Sequence, residues 1–242
     1  MIGVTMMKKV KEESLTQQTI MKALDWSYDK AINGGIPGTE TALDLAINYQ
    51  KKGGTPEEQA KRLVNWQMSK SATSGFVTGL GGIITLPVAV PANIASVLFI
   101  QTRIVAAIAY LGGHNVKDDE VKTFVYACLA GNEAKDILKN AGIQLGKKLA
   151  ISTIKRIPGT VITKINQKVG FRLLTKFGEK GVINLGKTVP FLGGIIGGTT
   201  DAVGTKIIGK VAIDLFIEKD GSAAPNKNRR SKDGNIIIID ME

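Results

Sequence analysis

Residues 79–103 read GLGGIITLPVAVPANIASVLFIQTR, twenty-four residues without a charge ahead of Arg103. The twenty uncharged residues from Ile83 to Thr102 are nominally enough to cross a bilayer. Pro87 and Pro91 argue against a straight span, because each lacks a backbone donor and disrupts the helical turn before it. The pattern predicts a short helix ending near Leu86, a bend, and a second helix running from Pro91 to Leu111. Arg103 then sits among apolar side chains, where a guanidinium requires an acidic or carbonyl partner. Asp201, the only acid between Glu179 and Asp214, is the candidate. An Arg103–Asp201 pair would join this stretch to a second one, residues 190–201, PFLGGIIGGTTD. There Gly193 and Gly197, and Gly194 and Gly198, are GxxxG pairs that permit close backbone approach between helices.

Helix signals recur through the rest of the chain. Ser14 and Gln17 form a capping-box pattern before a helix that closes at Asn33-Gly34-Gly35. Thr39 can cap a second helix ending at Lys51-Lys52-Gly53-Gly54. Thr55-Pro56-Glu57-Glu58 opens a third, which runs through Leu63 and Trp66 toward Ser74. Asp118, Asp119 and Glu120 suit the front of a helix ending near Gly131. Further helices are expected at about 133–156, 160–180 and 199–217. Strand patterns are nearly absent before residue 235, so the expectation is an all-α, single globular multi-helix domain. Its two Gly/Pro-rich apolar helical hairpins would pack at the core. Residues 1–13 would be an extension and 14–218 the domain. Residues 219–242 would form a polar, flexible tail ending in the apolar run Ile236–Ile239.

Composition narrows the chemistry. Aromatics make up 5% of the 242 residues against 43% hydrophobic residues in all, so the interior has to be built from aliphatics, alanine and glycine. The single Cys128 and single His114 leave no thiolate-rich zinc site, no His-dependent triad and no multi-His metal site. No metal or cofactor is expected, and His114, after Leu111-Gly112-Gly113, reads as a helix-capping or turn residue. The N-terminal MIGVTMMKKVKEES lacks the apolar core and cleavage pattern of a signal peptide, which makes the cytoplasm the expected address.

The net charge of +11 is concentrated. Residues 131–188 carry 12 lysines and arginines against 3 acids. Within them Lys164, Lys168, Arg172, Lys176 and Lys180 recur every four residues, a single winding ridge if the segment is helical. Ile165, Val169, Leu173 and Phe177 form a parallel apolar ridge, and Phe171 reads as lying on or near that side. Like charges at this spacing repel by a few tenths of a kcal/mol per pair, and an anionic surface relieves the repulsion at roughly 1 kcal/mol per cation. The expected role is therefore non-enzymatic: peripheral binding of anionic lipid on the inner face of a membrane, with apolar side chains beside the ridge inserting. The alternatives are a protein whose apolar hairpins insert and permeabilise a membrane, and a soluble module whose basic face meets an acidic protein. Nucleic acid is disfavoured for want of exposed aromatics and of any binding signature.

Residues 181–188, GVINLGKT, match GxxxxGK[ST] in full. A phosphate loop works only between a buried strand and a helix. Here the preceding residues belong to the cationic helix and Pro190 follows closely, so nucleotide hydrolysis is not the expected activity.

Several ordered positions together carry a family resemblance. Gly79, Gly81, Gly82, Thr85, Pro87 and Pro91, then Gln101-Thr102-Arg103, resemble one signature of the EcsC family. Pro190, Gly193, Gly194, Gly197 and Gly198, then Asp201, Thr205 and Gly209, resemble its second. The likeness covers roughly residues 40–217 and implies a mostly helical protein of bacterial type with membrane association. It implies no reaction and no catalytic residues.

Overall fold

The computed structural model describes residues 15–72, 90–143, 154, 156–185 and 193–217, with backbone alone for 69–72, 92–93, 179–185 and 193–202. The decisive element is the helix Ala92–Leu111, here α4. Pro91 stands at its N-cap, as the proline pattern predicts. Between Ile94 and Leu111 only Val97 and Tyr110 are even partly exposed. This window is long and apolar enough to cross a membrane, but 89% of it is buried inside the protein. A helix apolar on every side must be covered on every side.

Its cover comes from both ends of the chain. Before it come α1 (Gln17–Asn33), α2 (Ala42–Gln50) and α3 (Pro56–Ala72). After it come α5 (Asp119–Leu129), a 3-10 turn at Gly131–Glu133, α6 (Ala134–Asn140), α7 (Gly159–Leu185) and α8 (Gly193–Phe216). The helices α1, α2, α3, α5 and α8 all pack on α4, while α7 lies outside them against α1, α5 and α6. No strand occurs among the described residues, and the fold is all-α as expected. The signature residues Gly79, Gly81, Gly82, Thr85, Pro87 and Pro190 and the tail beyond residue 217 lie outside the described residues. Gly193, Gly194, Gly197 and Gly198 lie in the first turns of α8.

Local chemistry sets the helix ends. The α1 cap is Thr16 rather than Ser14, and its hydroxyl accepts the Thr19 amide at 3.1 Å while the Thr16 amide bonds back to the Thr19 hydroxyl. For α2 the cap is Thr41 rather than Thr39, because Asp44 stands three residues on and closes the reciprocal box that Thr39 lacks. The Thr55–Glu58 box opens α3 as predicted. The helix expected over 133–156 stops at Asn140. Gly142 takes φ +94° there, and Ile143 donates its amide to the Leu138 carbonyl in a Schellman closure. The end of α4 closes the same way, with Gly113 at φ +85° and the His114 amide on the Ala109 carbonyl. His114 is thus a turn residue, its Nε2 3.2 Å from the Phe216 carbonyl oxygen.

Two glycines register α8 against its neighbours. A Cβ on Gly112 would sit 2.0 Å from the Phe216 carbonyl oxygen, and one on Gly209 would sit 2.5 Å from Val64 Cγ2. Gly204 lies beside Gln101, so α4 and α8 run in the same sense. The gross gain is large. Burying Leu98, Phe99, Ile100, Ile104, Val105, Ile108 and Leu111 contributes on the order of 10–20 kcal/mol before entropy. That exceeds the several kcal/mol lost in desolvating one guanidinium, so α4 stays inside despite Arg103.

Gly112→Ala meets backbone that has no rotamer to escape into, and it should cost about 1–3 kcal/mol. At this size that is a fall of roughly 2–12 °C in melting temperature, read by circular dichroism. For Gly209→Ala the obstacle is a side chain. The double substitution with Val64→Ala should therefore be more stable than the two single losses added together. A second check is chemical. Cys128 is fully buried and its thiol is pushed up by that burial, so a thiol reagent should react only as fast as the protein unfolds.

Candidate functional site

The buried arginine and the cationic helix are the two features that the sequence singles out. Arg103 is 4% exposed. Its Nη1 donates to the Glu40 carbonyl oxygen at 3.1 Å, and its guanidinium carbon lies 5.5 Å from the centre of the Phe99 ring. Burial pulls its pKa down, and the nearby Glu40 carboxylate opposes that shift. The partner seen is thus a carbonyl of the α1–α2 connection. Asp201 lies on α8, with its side chain outside the described residues. Sequence reading passed over Glu40 because a main-chain acceptor leaves no mark on residue identity.

On α7 the apolar ridge is interior at three of its four positions: Ile165, Val169 and Leu173 are 0% exposed, whereas Phe177 is half-buried. They pack in the same core as residues of α1 and α5. Ile165, Val169 and Leu173 are therefore not available for insertion into lipid, since they already hold the helix to the protein. Gly170 makes the seat close, with Gln17 and Met21 of α1 within 3.0 Å of where a Cβ would be. The Gln17 side-chain amide also donates to the Gln167 carbonyl at 2.8 Å.

The opposite face of α7 is where the exposed chemistry lies. Phe171 is 62% exposed, which corrects its placement on the apolar side. It stands two residues from both Val169 and Leu173, about 200° around the helix from each, and so directly away from the core. Seven residues back, on the same face, is exposed Lys164. Lys168 lies between them, half-buried, and neither lysine pairs with an acid among the described residues. The ridge is not uniform. Arg172 is ion-paired to Glu133, both side chains being about two-fifths exposed. Lys176 Nζ lies 5.4 Å above the Phe177 ring, and the side chain of Lys180 is outside the described residues.

Between α7, α6 and the start of α1 runs an open groove of about 690 Å³. Lys168, Phe171 and Arg172 of α7 line it together with Glu133, Ile137 of α6 and Gln17 of α1. Its chemistry is that of a contact surface: an ammonium with no acid partner among the described residues, a paired guanidinium and an uncovered aromatic ring. No cluster of histidine, cysteine and carboxylate groups fit to hold a metal occurs among the described residues. Of the phosphate-loop match, Gly181 to Leu185 form the last turns of α7 and residues 186–188 lie outside the described residues.

These features define an all-helical domain organised around one interior apolar helix, with a basic helix laid on its outside. The profile of the EcsC protein family matches residues 10–217, and the chain belongs to that family. No curated protein and no solved structure matches it.

The Arg172–Glu133 pair is open to solvent, so it adds little to the fold. Glu133→Gln should change the unfolding free energy by less than about 1 kcal/mol, measured by urea titration.

Proposed function

We propose that this protein binds anionic membrane surfaces peripherally, through the outer face of α7, and catalyses no reaction. The observation that carries the reading is Phe171, a large apolar side chain 62% exposed and flanked by Lys164 and Lys168. In water an uncovered phenyl ring on a basic helix is a cost, and at a bilayer interface both parts are satisfied. The ring enters the boundary between headgroups and acyl chains, and the lysines extend their ammonium groups to the phosphates.

Magnitudes limit how strong this can be. Each cation near an acidic leaflet is worth roughly 1 kcal/mol, and a phenyl ring taken fully out of water adds about 1.5–3 kcal/mol. Two free lysines and one ring therefore support reversible attachment, strengthened if Arg172 leaves Glu133 for a headgroup. Insertion of α4 is no part of the proposal, because turning it outward would break its contacts with α1, α2, α3, α5 and α8.

Co-sedimentation with vesicles of phosphatidylcholine alone, or mixed with phosphatidylserine, tests the proposal. Binding should require the acidic lipid and weaken as salt rises through the range where the Debye length shrinks below about 10 Å. Lys164→Gln with Lys168→Gln should lower affinity at least several-fold without loss of helicity, and Phe171→Ser should do the same at unchanged charge. Glu133→Gln, which frees Arg172, should raise it. Dye trapped in the vesicles should stay inside throughout. Equal recovery on neutral and acidic vesicles would overturn the proposal.

A further inference from the structure

The Phe171 groove offers apolar surface and unpaired positive charge together, and one stretch of this chain has the matching chemistry. Residues 235–242, NIIIIDME, hold four consecutive isoleucines, two acids and no cation. Nothing in the described core calls for them. We infer that the segment Asn235–Glu242 docks into the groove of its own chain, with isoleucines against Phe171 and Ile137 and with Asp240 and Glu242 toward Lys164 and Lys168.

Three observations point to this occupant. First, charge complementarity is specific to that segment. The stretch from Lys227 to Lys232 is basic and would be repelled by the same lysines, so the acidic end is the part that is drawn in. Second, an extended chain turns alternate side chains to opposite faces. Ile236 and Ile238 can therefore both face the groove. Third, the tether is well placed. The last turn of α8 is tied to α6 by the ion pair of Asp214 with Lys135 at 3.4 Å, on the side of that short helix turned away from Ile137, so the tether has one helix width, roughly 10 Å, to pass before it reaches the groove. From Ile217, residues 218–235 precede the isoleucine run, a length of chain whose greatest possible span is roughly 60 Å. A tether of this length holds the segment at an effective concentration on the order of millimolar, so weak contacts suffice.

Docking itself needs no lipid. Its consequence, that the tail covers Phe171 and Lys168 and must leave before α7 meets a membrane, rests on the proposed function. The experiment reads the two separately, in the whole 242-residue chain. Cys128 is fully buried, so engineered cysteines can be followed without interference. Gln167→Cys at the groove is paired with Met241→Cys in the tail. The control pairs Lys210→Cys, exposed on α8 and nearer the tail root along the chain, with the same Met241→Cys. Under mild oxidation at micromolar protein the groove pair should close an intrachain disulfide at least ten-fold faster than the control, and adding Phe171→Ser should abolish that preference. Equal rates for the two pairs, or a disulfide that forms mainly between chains, would overturn the docking. In vesicle binding, replacing Ile236, Ile237, Ile238 and Ile239 together by serine should raise affinity for phosphatidylserine vesicles three-fold or more. Fast closure with no change in vesicle binding would keep the docking and overturn its blocking role. No binding by any variant, with closure intact, would overturn the lipid reading alone.

Discussion

A helix that is apolar all the way round has no amphipathic orientation to offer water, and the architecture follows from that constraint on α4. Five other helices are needed to cover it, and small residues must stand wherever two backbones converge on it or beside it. Hence Gly112 meets the Phe216 carbonyl and Gly209 meets Val64. Scarcity of aromatics fits the same demand. Aliphatic and glycine-lined helices can approach closely on several sides at once, whereas rings would hold them apart.

The exterior follows from the interior. Once α4 and α5 occupy the centre, α7 lies, among the described residues, mainly on α1, α5 and α6, so a ridge of it is buried and its outer face is left to water. The ridge Ile165, Val169 and Leu173 holds the helix down, and the lysines keep the outer face solvated. Phe171 breaks that pattern. Acids are so sparse in the block that the cations share very few partners. Glu133 serves Arg172, and Asp214 serves Lys135 on the far side of the same short helix.

The fold was readable where a single residue type has one conformational use. Pro91, Gly34 and the Thr55–Glu58 box marked helix ends correctly because each acts within a few residues of itself. Errors came from choosing among equivalent local signals. Thr39 and Thr41 look alike until the third residue after each is compared, and Thr41 wins through Asp44, whereas Thr16 caps α1 through the Thr19 hydroxyl although Ser14 has the more usual Gln17 three residues on. Gly142 ended α6 early because a lone glycine in an amphipathic run looks tolerable until its φ is known. The site was half legible. The spacing of Lys164, Lys168 and Arg172 showed the cationic face, and the helical wheel alone would have put Phe171 there. What no periodicity could show was the Glu40 carbonyl beside Arg103, the Glu133 carboxylate on Arg172, or the groove, because all three depend on which helices become neighbours.

The parallel arrangement of α4 and α8 has a cost in time. During synthesis the residues of α8 that cover α4 follow it out of the ribosome about a hundred residues later. At 5–20 residues per second its apolar sides wait roughly 5–20 s for that cover. In that interval the nascent chain presents the hydrophobic surface that holdase chaperones recognise. The hazard for this protein therefore falls before release from the ribosome rather than after folding is complete.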